Sequence, residues 1–175
     1  METNHIEAKY PLSFREEDAR ALGEHLRLRH SVELVGMKRV GISNFLRFFL
    51  YHKDIVPTYI NRGEKHLFVP VDLNHLFEID LFPFWVLIFK RLADAVSQFE
   101  ISEKIKKDVS VMFLETIQSR DVFLTIETFR KVLSEVVKQG ILPTFFFLRF
   151  DSSFSTRFPN NLLVVSSKKR AKEVC

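Results

Sequence analysis

Two glycines and a serine in the first third of the chain have a spacing that suits the binding of an anion. Gly36 and Gly41 enclose a four-residue stretch, and Ser43 follows two residues after the second glycine. Glycine turns let several backbone N–H groups point inward, and a helix that begins directly afterwards presents the positive end of its dipole. In a phosphate-binding loop of this spacing a lysine precedes the serine, but Ile42 stands there. The spacing predicts a phosphate loop that lacks its main cation, although a plain strand-turn-helix connection also explains the glycines.

The other residues of this loop carry charges and hydrogen-bonding groups. Lys38 and Arg39 lie inside it, which a plain connection does not explain, and either could replace the missing lysine. Ser43 has the spacing of a Mg²⁺ ligand. Asp151 ends a later apolar run, where it could hold the same ion through water or be a plain strand-end residue. We predict a nucleotide cradle made of Gly36, Lys38, Arg39, Val40, Gly41, Ile42, Ser43 and Asn44.

Alternating strand and helix signals place the loop in an α/β fold. Residues 32 to 35 are predicted as the first strand, and residues 67 to 74 as the second. Residues 141 to 151 form an unbroken apolar run, which is typical of a strand buried on both faces of a parallel sheet, and residues 161 to 167 suggest one more strand. This order predicts a parallel sheet of three or four strands with helices on both sides. Apolar periodicity predicts the helices over residues 13 to 30, 43 to 52, 82 to 99, 101 to 117 and 121 to 138.

Polar residues at the ends of these elements have structural interpretations. Ser13 and Glu16 have the spacing of a capping box at the start of the first helix. Asp72 and Asn74 follow a strand at the sheet edge where α/β proteins bind ligands, but capping of the next turn is the favoured interpretation. Asp80 precedes a helix and is assigned to its positive end.

Length and composition favour one domain with a sizeable core. The chain has 175 residues, of which 46% are hydrophobic and 27% charged, and it contains 19 Phe. Its net charge is +4, but four cations lie in the last eight residues, so the body is nearly neutral and a nucleic-acid partner is not expected. The predicted organisation is a helical lead-in over residues 1–30, a core over 31–167 and a basic tail over 168–175.

Cysteine and histidine content limits other chemistry. Cys175 is the only cysteine, so neither a disulfide nor a Cys-based metal site can form within one chain, and a cytoplasmic location is expected. The six histidines show no i, i+4 pair, so surface or capping roles are favoured over metal binding. The first residues lack the profile of a signal peptide. The longest apolar run, residues 81 to 89, is far shorter than the ~20 residues that span a bilayer, and we expect no membrane anchor.

Three segments resemble the P-loop ATPases of the AAA-type and STAND-like groups. Residues 13 to 17, Ser-Phe-Arg-Glu-Glu, are similar to the Phe-x-x-Arg-Glu box of those ATPases, with altered spacing. Residues 35 to 47, Val-Gly-Met-Lys-Arg-Val-Gly-Ile-Ser-Asn-Phe-Leu-Arg, resemble their Walker A loop, Gly-x-x-x-x-Gly-Lys-Ser/Thr-x-Leu-Leu-Arg. Residues 145 to 151, Phe-Phe-Phe-Leu-Arg-Phe-Asp, are similar to their Walker B strand. The resemblance covers residues 13 to about 151 and implies a three-layer P-loop fold that binds ATP and Mg²⁺.

Departures from this pattern imply that ATP hydrolysis is weak or absent. Ile42 replaces the lysine that bridges the β and γ phosphates, and Ser152 stands where many members place the glutamate that positions the attacking water. Because phosphoryl transfer depends mainly on positioning and charge, losing both groups should slow hydrolysis severely. If hydrolysis persists, Asp151 is the residue expected to support it. Members continue into a sensor strand and a helical lid, and since only 24 residues follow Asp151, we expect an incomplete sheet without the lid.

The leading functional prediction is therefore ATP binding, with Mg²⁺, by a domain that acts as a switch or scaffold. A different class of function is a protein-interaction module that keeps the fold and has lost the ligand. In that case Phe48, Phe49 and residues 145–147 would partly face a protein partner or a second copy.

Overall fold

Five α-helices and two strands form among the residues that the structure, a computed structural model, describes, namely residues 5–35, 39–60, 63–76 and 80–149. These elements divide into two units, with the boundary between Gly63 and Glu64. The boundary falls inside residues 31–167, the range that the sequence predicts as one core. Each unit has its own buried side chains and is described by itself.

In the first unit, helix α1 (Glu16–Arg27) packs against a π-helical turn (Val56–Ile60). Gly23 makes this close approach possible, because a Cβ at this position would lie 2.6 Å from Cβ of Tyr59. The Tyr59 hydroxyl donates a hydrogen bond to the carbonyl of Leu12 at 3.2 Å and so ties the turn to the segment before α1.

The predicted capping box at the start of α1 is wrong. The N-cap of the helix is Arg15, in the left-handed region with φ 49°, and it makes no side-chain cap hydrogen bond. The N–H of Phe14 donates to the carbonyl of Pro11 at 2.8 Å. This turn runs through Ser13, so the helix begins later than the capping-box spacing requires.

Helix α2 (Ile42–Tyr51) follows Gly41, close to the helix predicted over residues 43 to 52. Phe45, Phe48 and Phe49 line its buried face, at 0–2% exposure. Phe48 and Phe49 are therefore core residues, and the suggestion that this pair partly faces a partner is wrong.

The strand predicted over residues 32 to 35 does not form. Residues 31–35 have no regular secondary structure, and all five are exposed. Val35 is 84% exposed, and Val32 and Leu34 are 38% and 41% exposed. The apolar alternation is present, but a strand needs a hydrogen-bonded neighbour, and no strand among the described residues of the first unit pairs with this segment.

The second unit contains a two-stranded parallel sheet of β1 (Lys65–Asp72) and β2 (Ile141–Leu148). The register runs from Lys65 opposite Ile141 to Asp72 opposite Leu148. The two strands and their parallel pairing confirm that the chain combines helices with a parallel sheet. The third and fourth strands of the predicted sheet are not seen among the described residues. The expected burial of β2 on both faces does not hold, because only Ile141 and Phe146 of this strand are buried.

Three helices flank this sheet and confirm the predicted helical segments: α3 (Leu81–Gln98), α4 (Glu103–Ser119) and α5 (Val122–Lys138). Phe129 of α5 lies among the rings of α3 and β2, and its centroid is 5.6 Å from that of Trp85 and 5.9 Å from that of Phe145. Helix α5 ends before Gly140, whose φ of 72° turns the chain into β2. Within the described ranges, no helix combines the length and apolar character needed to cross a membrane.

Candidate functional site

The amino end of helix α2 carries the part of the predicted cradle that the structure describes. Gly41 is its N-cap, with φ 82°, and the N–H of Phe45 donates to the Gly41 carbonyl at 3.0 Å. Ser43 and Asn44 are exposed and Ile42 is partly buried. The N-cap is a glycine without a side chain that could cap this end, and the first turn contains no acidic residue. Within the described residues, the first N–H groups of α2 therefore have no side-chain acceptor from the N-cap, and they and the helix dipole can attract an anion.

Arg15 lies beside this helix end, although it precedes Val40 by 25 residues in the sequence. Its Nη1 donates to the carbonyl of Val40 at 3.3 Å, and its guanidinium carbon lies 5.0 Å from the centre of the Phe45 ring. Its Nε donates to a carboxylate oxygen of Asp18 at 2.5 Å. The guanidinium therefore stands next to the residue that precedes the N-cap, and the carboxylate of Asp18 offsets part of its charge there.

Sequence reasoning missed this role of Arg15. It assigned the substitute cation to Lys38 or Arg39 because they lie within the loop. Arg15 belongs to the Ser-Phe-Arg-Glu-Glu segment that resembles an ATPase box, and that resemblance was the available signal. The left-handed conformation of Arg15 turns the chain into α1 and accompanies the placement of its side chain over Phe45.

The structure describes two of the remaining predicted site residues, Arg39 and Val40, but not the other three. Arg39 has φ 70° and is exposed, and Val40 is 47% exposed. Gly36, Lys38 and Asp151 lie outside the described residues, so their predicted roles stay predictions, as do the Mg²⁺ contacts assigned to Ser43 and Asp151.

Two contacts hold α2 in its place within the first unit. Arg47 donates to the carboxylate of Glu7 at 2.7 Å, and Glu7 is only 8% exposed. A hydrogen bond from its own backbone amide, and then the one from Arg47, lower the pKa of Glu7 below its usual value. The rings of Phe14 and Phe48 pack edge to face, with centroids 5.3 Å apart. These two contacts fix α2 within the first unit, and with it the amino end that lies beside Arg15.

The carboxyl ends of β1 and β2 bear a second group of polar side chains. Asp72 accepts a hydrogen bond from the N–H of Asn74 at 3.0 Å, which confirms the predicted capping role, and its other oxygen lies 3.4 Å from Nη2 of Arg149. His75 follows Asp72 by three residues, and its Nδ1 lies 3.1 Å from Nη2 of Arg91 in α3. The capping interpretation is therefore sufficient for Asp72.

A shallow hollow of about 470 Å³ lies beside α1 and is lined by charged side chains together with Thr58 and Tyr59. The charges come in pairs of opposite sign, such as Arg20 with Glu16 at 2.5 Å. Burial, and then the charge of Glu16, raise the pKa of the Tyr59 hydroxyl. Since its charges neutralise one another, this hollow offers no net attraction to an anion. Its charged lining residues are Glu16, Arg20, Glu24 and Arg27.

Metal-binding side chains are sparse in the described ranges. No group of three or more His, Cys, Asp or Glu residues there is close enough to share an ion. His25 and His30 lie close together, with their Nδ1 atoms 3.3 Å apart. Sequence reasoning looked for i, i+4 pairs and missed this i, i+5 pair across a helix end.

Comparison with known proteins gave no relative from which a function could be carried over: no family model, no curated protein and no solved structure matches this chain.

Proposed function

We propose that the chain binds the phosphates of a nucleotide such as ATP, together with Mg²⁺, at the turn before helix α2, and that it hydrolyses the nucleotide weakly or not at all. The domain would act as a switch or scaffold. In this proposal β2 is the strand that leads to Asp151, and the two-stranded sheet is part of a three-layer P-loop arrangement. A cytoplasmic location stays a prediction from the single cysteine.

The observation that carries this proposal is the position of Arg15 next to an uncapped helix end. Backbone N–H groups at a helix start bind anions through hydrogen bonds and the helix dipole together. The loop lacks the usual lysine because Ile42 occupies its position. The guanidinium of Arg15, held on the Val40 carbonyl and over Phe45, supplies a cation at the same end of the helix. Guanidinium groups suit phosphate oxygens because they can donate two parallel hydrogen bonds.

The donor groups that are described fit a Mg²⁺-nucleotide. Ser43 is exposed in the first turn of α2, and its hydroxyl oxygen is of the ligand type that a hard cation such as Mg²⁺ prefers. Arg39 is a second cation near this helix end; it is exposed and lies two residues before the N-cap. The full proposed set is the cradle of Gly36, Lys38, Arg39, Val40, Gly41, Ile42, Ser43 and Asn44, with Arg15 as the added cation and Ser43 toward Mg²⁺, and the Mg²⁺ contact of Asp151 stays a prediction from the sequence.

A thermal-shift titration with Mg²⁺-ATP tests the proposal. Ligand at a hundred times its dissociation constant should add about 2.7 kcal/mol to the free energy of unfolding. Changing Arg15 to Gln should weaken affinity roughly tenfold to a hundredfold, because a hydrogen bond to a charged group contributes about 1.5–3 kcal/mol. Isothermal titration calorimetry of both proteins measures this loss directly.

Arg20→Gln is the matched control. Arg20 belongs to the same helix and loses a comparable ion pair, the one with Glu16, but it lines the charged hollow and makes no described contact with Val40 or Phe45. Its nucleotide affinity should equal that of the unchanged protein. The absence of any shift at millimolar Mg²⁺-ATP, or an equal loss in both variants, would contradict the proposal.

A second candidate, a protein-interaction module that self-associates, is favoured by a set of exposed apolar side chains on α4 and the first turn of α5. Phe123 is 82% exposed and Leu114 57% exposed. On α4 the neighbouring Phe113 packs against Phe89, with ring centroids 5.5 Å apart, whereas Val111 and Leu114 are exposed. The set, which we call the apolar tip, consists of Val111, Leu114, Ile117, Phe123 and Leu124.

If the apolar tip joins two copies, the double change L114S/F123S should make the protein monomeric without lowering its stability. Sedimentation velocity over a concentration series measures the association. Val137→Ser, at an apolar position of α5 that is 52% exposed but at the other end of the helix, is the control and should associate like the unchanged protein. A protein that is monomeric before any change would exclude this self-association.

A further inference from the structure

We propose that His25 and His30 form a two-histidine binding site for a divalent transition-metal ion such as Zn²⁺. Helix α1 ends at Arg27, and Arg29, with φ 58°, then turns the chain back on itself. The N–H of His30 donates to the carbonyl of His25 at 2.9 Å and closes this turn. The turn brings both imidazole rings together at the carboxyl end of α1.

The separation of the two ring nitrogens suits a tetrahedral metal. Nδ1 of His25 and Nδ1 of His30 are 3.3 Å apart. Zn²⁺ binds imidazole nitrogen at about 2.0–2.1 Å in tetrahedral geometry, which places two ligand nitrogens about 3.3–3.4 Å apart. The backbone turn therefore already holds the two nitrogens at the distance that one ion requires.

The orientation of the two imidazole rings must change when a metal ion binds. The ring centroids are 5.6 Å apart, so the two nitrogens face each other directly, as in a pair that shares one N–H proton. For both lone pairs to point at a tetrahedral ion, the centroids must approach to about 5.2 Å at the same metal–nitrogen distance. Rotation of the two partly buried rings can bring the centroids to this distance without moving the backbone turn, because both side chains have access to solvent.

The surroundings define the class of ion. Imidazole nitrogen suits Zn²⁺, Cu²⁺ and Ni²⁺, whereas Mg²⁺ and Ca²⁺ prefer oxygen ligands. No third His, Cys, Asp or Glu of the described ranges completes the set. Arg27, two residues after His25 in the sequence, is turned toward Glu24, with Nη2 3.6 Å from the carboxylate. The partly exposed rings leave the other coordination positions to water.

Calorimetric titration of the full chain with ZnCl₂ at pH 7.5 tests this site. All proteins carry Cys175→Ser, so that the single thiol cannot contribute a ligand. Two linked ligands bind roughly a hundredfold more tightly than one. His25→Gln and His30→Gln should therefore each weaken Zn²⁺ affinity by roughly that factor, and the two losses should be similar, because each change converts the chelate into a single imidazole.

His75→Gln is the control, since His75 is exposed, contacts Arg91 and lies in the other unit. It should leave Zn²⁺ affinity unchanged. Nitrogen-15 spectra of the imidazole rings give a readout independent of affinity, because Zn²⁺ should shift the Nδ1 resonances of His25 and His30 together. Unchanged affinity in either paired variant, or a loss in the His75 variant as large as in the other two, would overturn the proposal.

Discussion

Changing Phe129 to Ala is expected to lower the free energy of unfolding of the second unit by about 3–5 kcal/mol. Phe129 is 6% exposed, and its ring lies 5.6 Å from that of Trp85, 5.8 Å from that of Phe89 and 5.9 Å from that of Phe145. These rings belong to α3 and β2, so this one side chain of α5 contacts both elements. The three rings cannot all close on the space that the change would leave, and the cavity adds to the lost burial.

Urea denaturation followed by tryptophan fluorescence measures this effect. Trp85 is the only tryptophan and it contacts Phe129, so its emission reports the affected core. Phe123→Ala is the matched control, because it removes the same atoms from the same helix at a position that is 82% exposed. Its stability should stay within about 0.5 kcal/mol of the unchanged protein. Similar losses in the two variants would show that Phe129 is not the anchor of α5.

The elements of the second unit could be predicted because their patterns are long and their end signals agree. Apolar periodicity marked α3 and α5, and Gly140 marked the end of α5. The apolar run that became β2 could be recognised as a strand, since strands of parallel sheets are largely hydrophobic. Its partial burial could not be foreseen, because burial depends on how many neighbours a strand has, and a local run of residues does not contain that information.

The segment over residues 31–35 shows the limit of local patterns. Its alternation of apolar and polar residues is that of a strand, but a strand is stable only when its backbone groups pair with a neighbour. Nothing in five residues says whether that neighbour exists. The same reason explains the failed capping box at Ser13, where a competing turn from Pro11 to Phe14 uses the residues that the box requires.

The candidate sites depended on contacts that are distant in sequence or cross a helix end. Arg15 and Val40 are 25 residues apart, and their contact arises because α1 and α2 belong to the same unit. The pairing of His25 with His30 depends on the positive φ of Arg29, a conformation that non-glycine residues adopt uncommonly. Loop spacing alone could indicate the amino end of α2, but it could not indicate which cation stands beside it.

Changing Gly23 to Ala is expected to destabilise the first unit by about 1–3 kcal/mol, the usual result of forcing an added carbon into a packed contact. In a free helix this change would stabilise by about 1 kcal/mol, because alanine is the better helix former. Here the new Cβ would lie 2.6 Å from Cβ and 2.8 Å from the carbonyl oxygen of Tyr59. Both atoms belong to the rigid part of the π-helical turn, and no flexible side-chain end can move aside.

Hydrogen exchange measures the effect where it arises, in the amides of α1 and of the turn Val56–Ile60, which should lose protection together. Ala21→Gly is the control. Ala21 is an exposed residue of the same helix, and this substitution removes a Cβ where Gly23→Ala adds one. It should lower protection of α1 through helix propensity alone, by about 1 kcal/mol, without a matching loss in the turn. If Gly23→Ala instead raised the protection of α1, propensity would outweigh the contact with Tyr59, and the close packing of α1 on this turn would not limit the stability of the first unit.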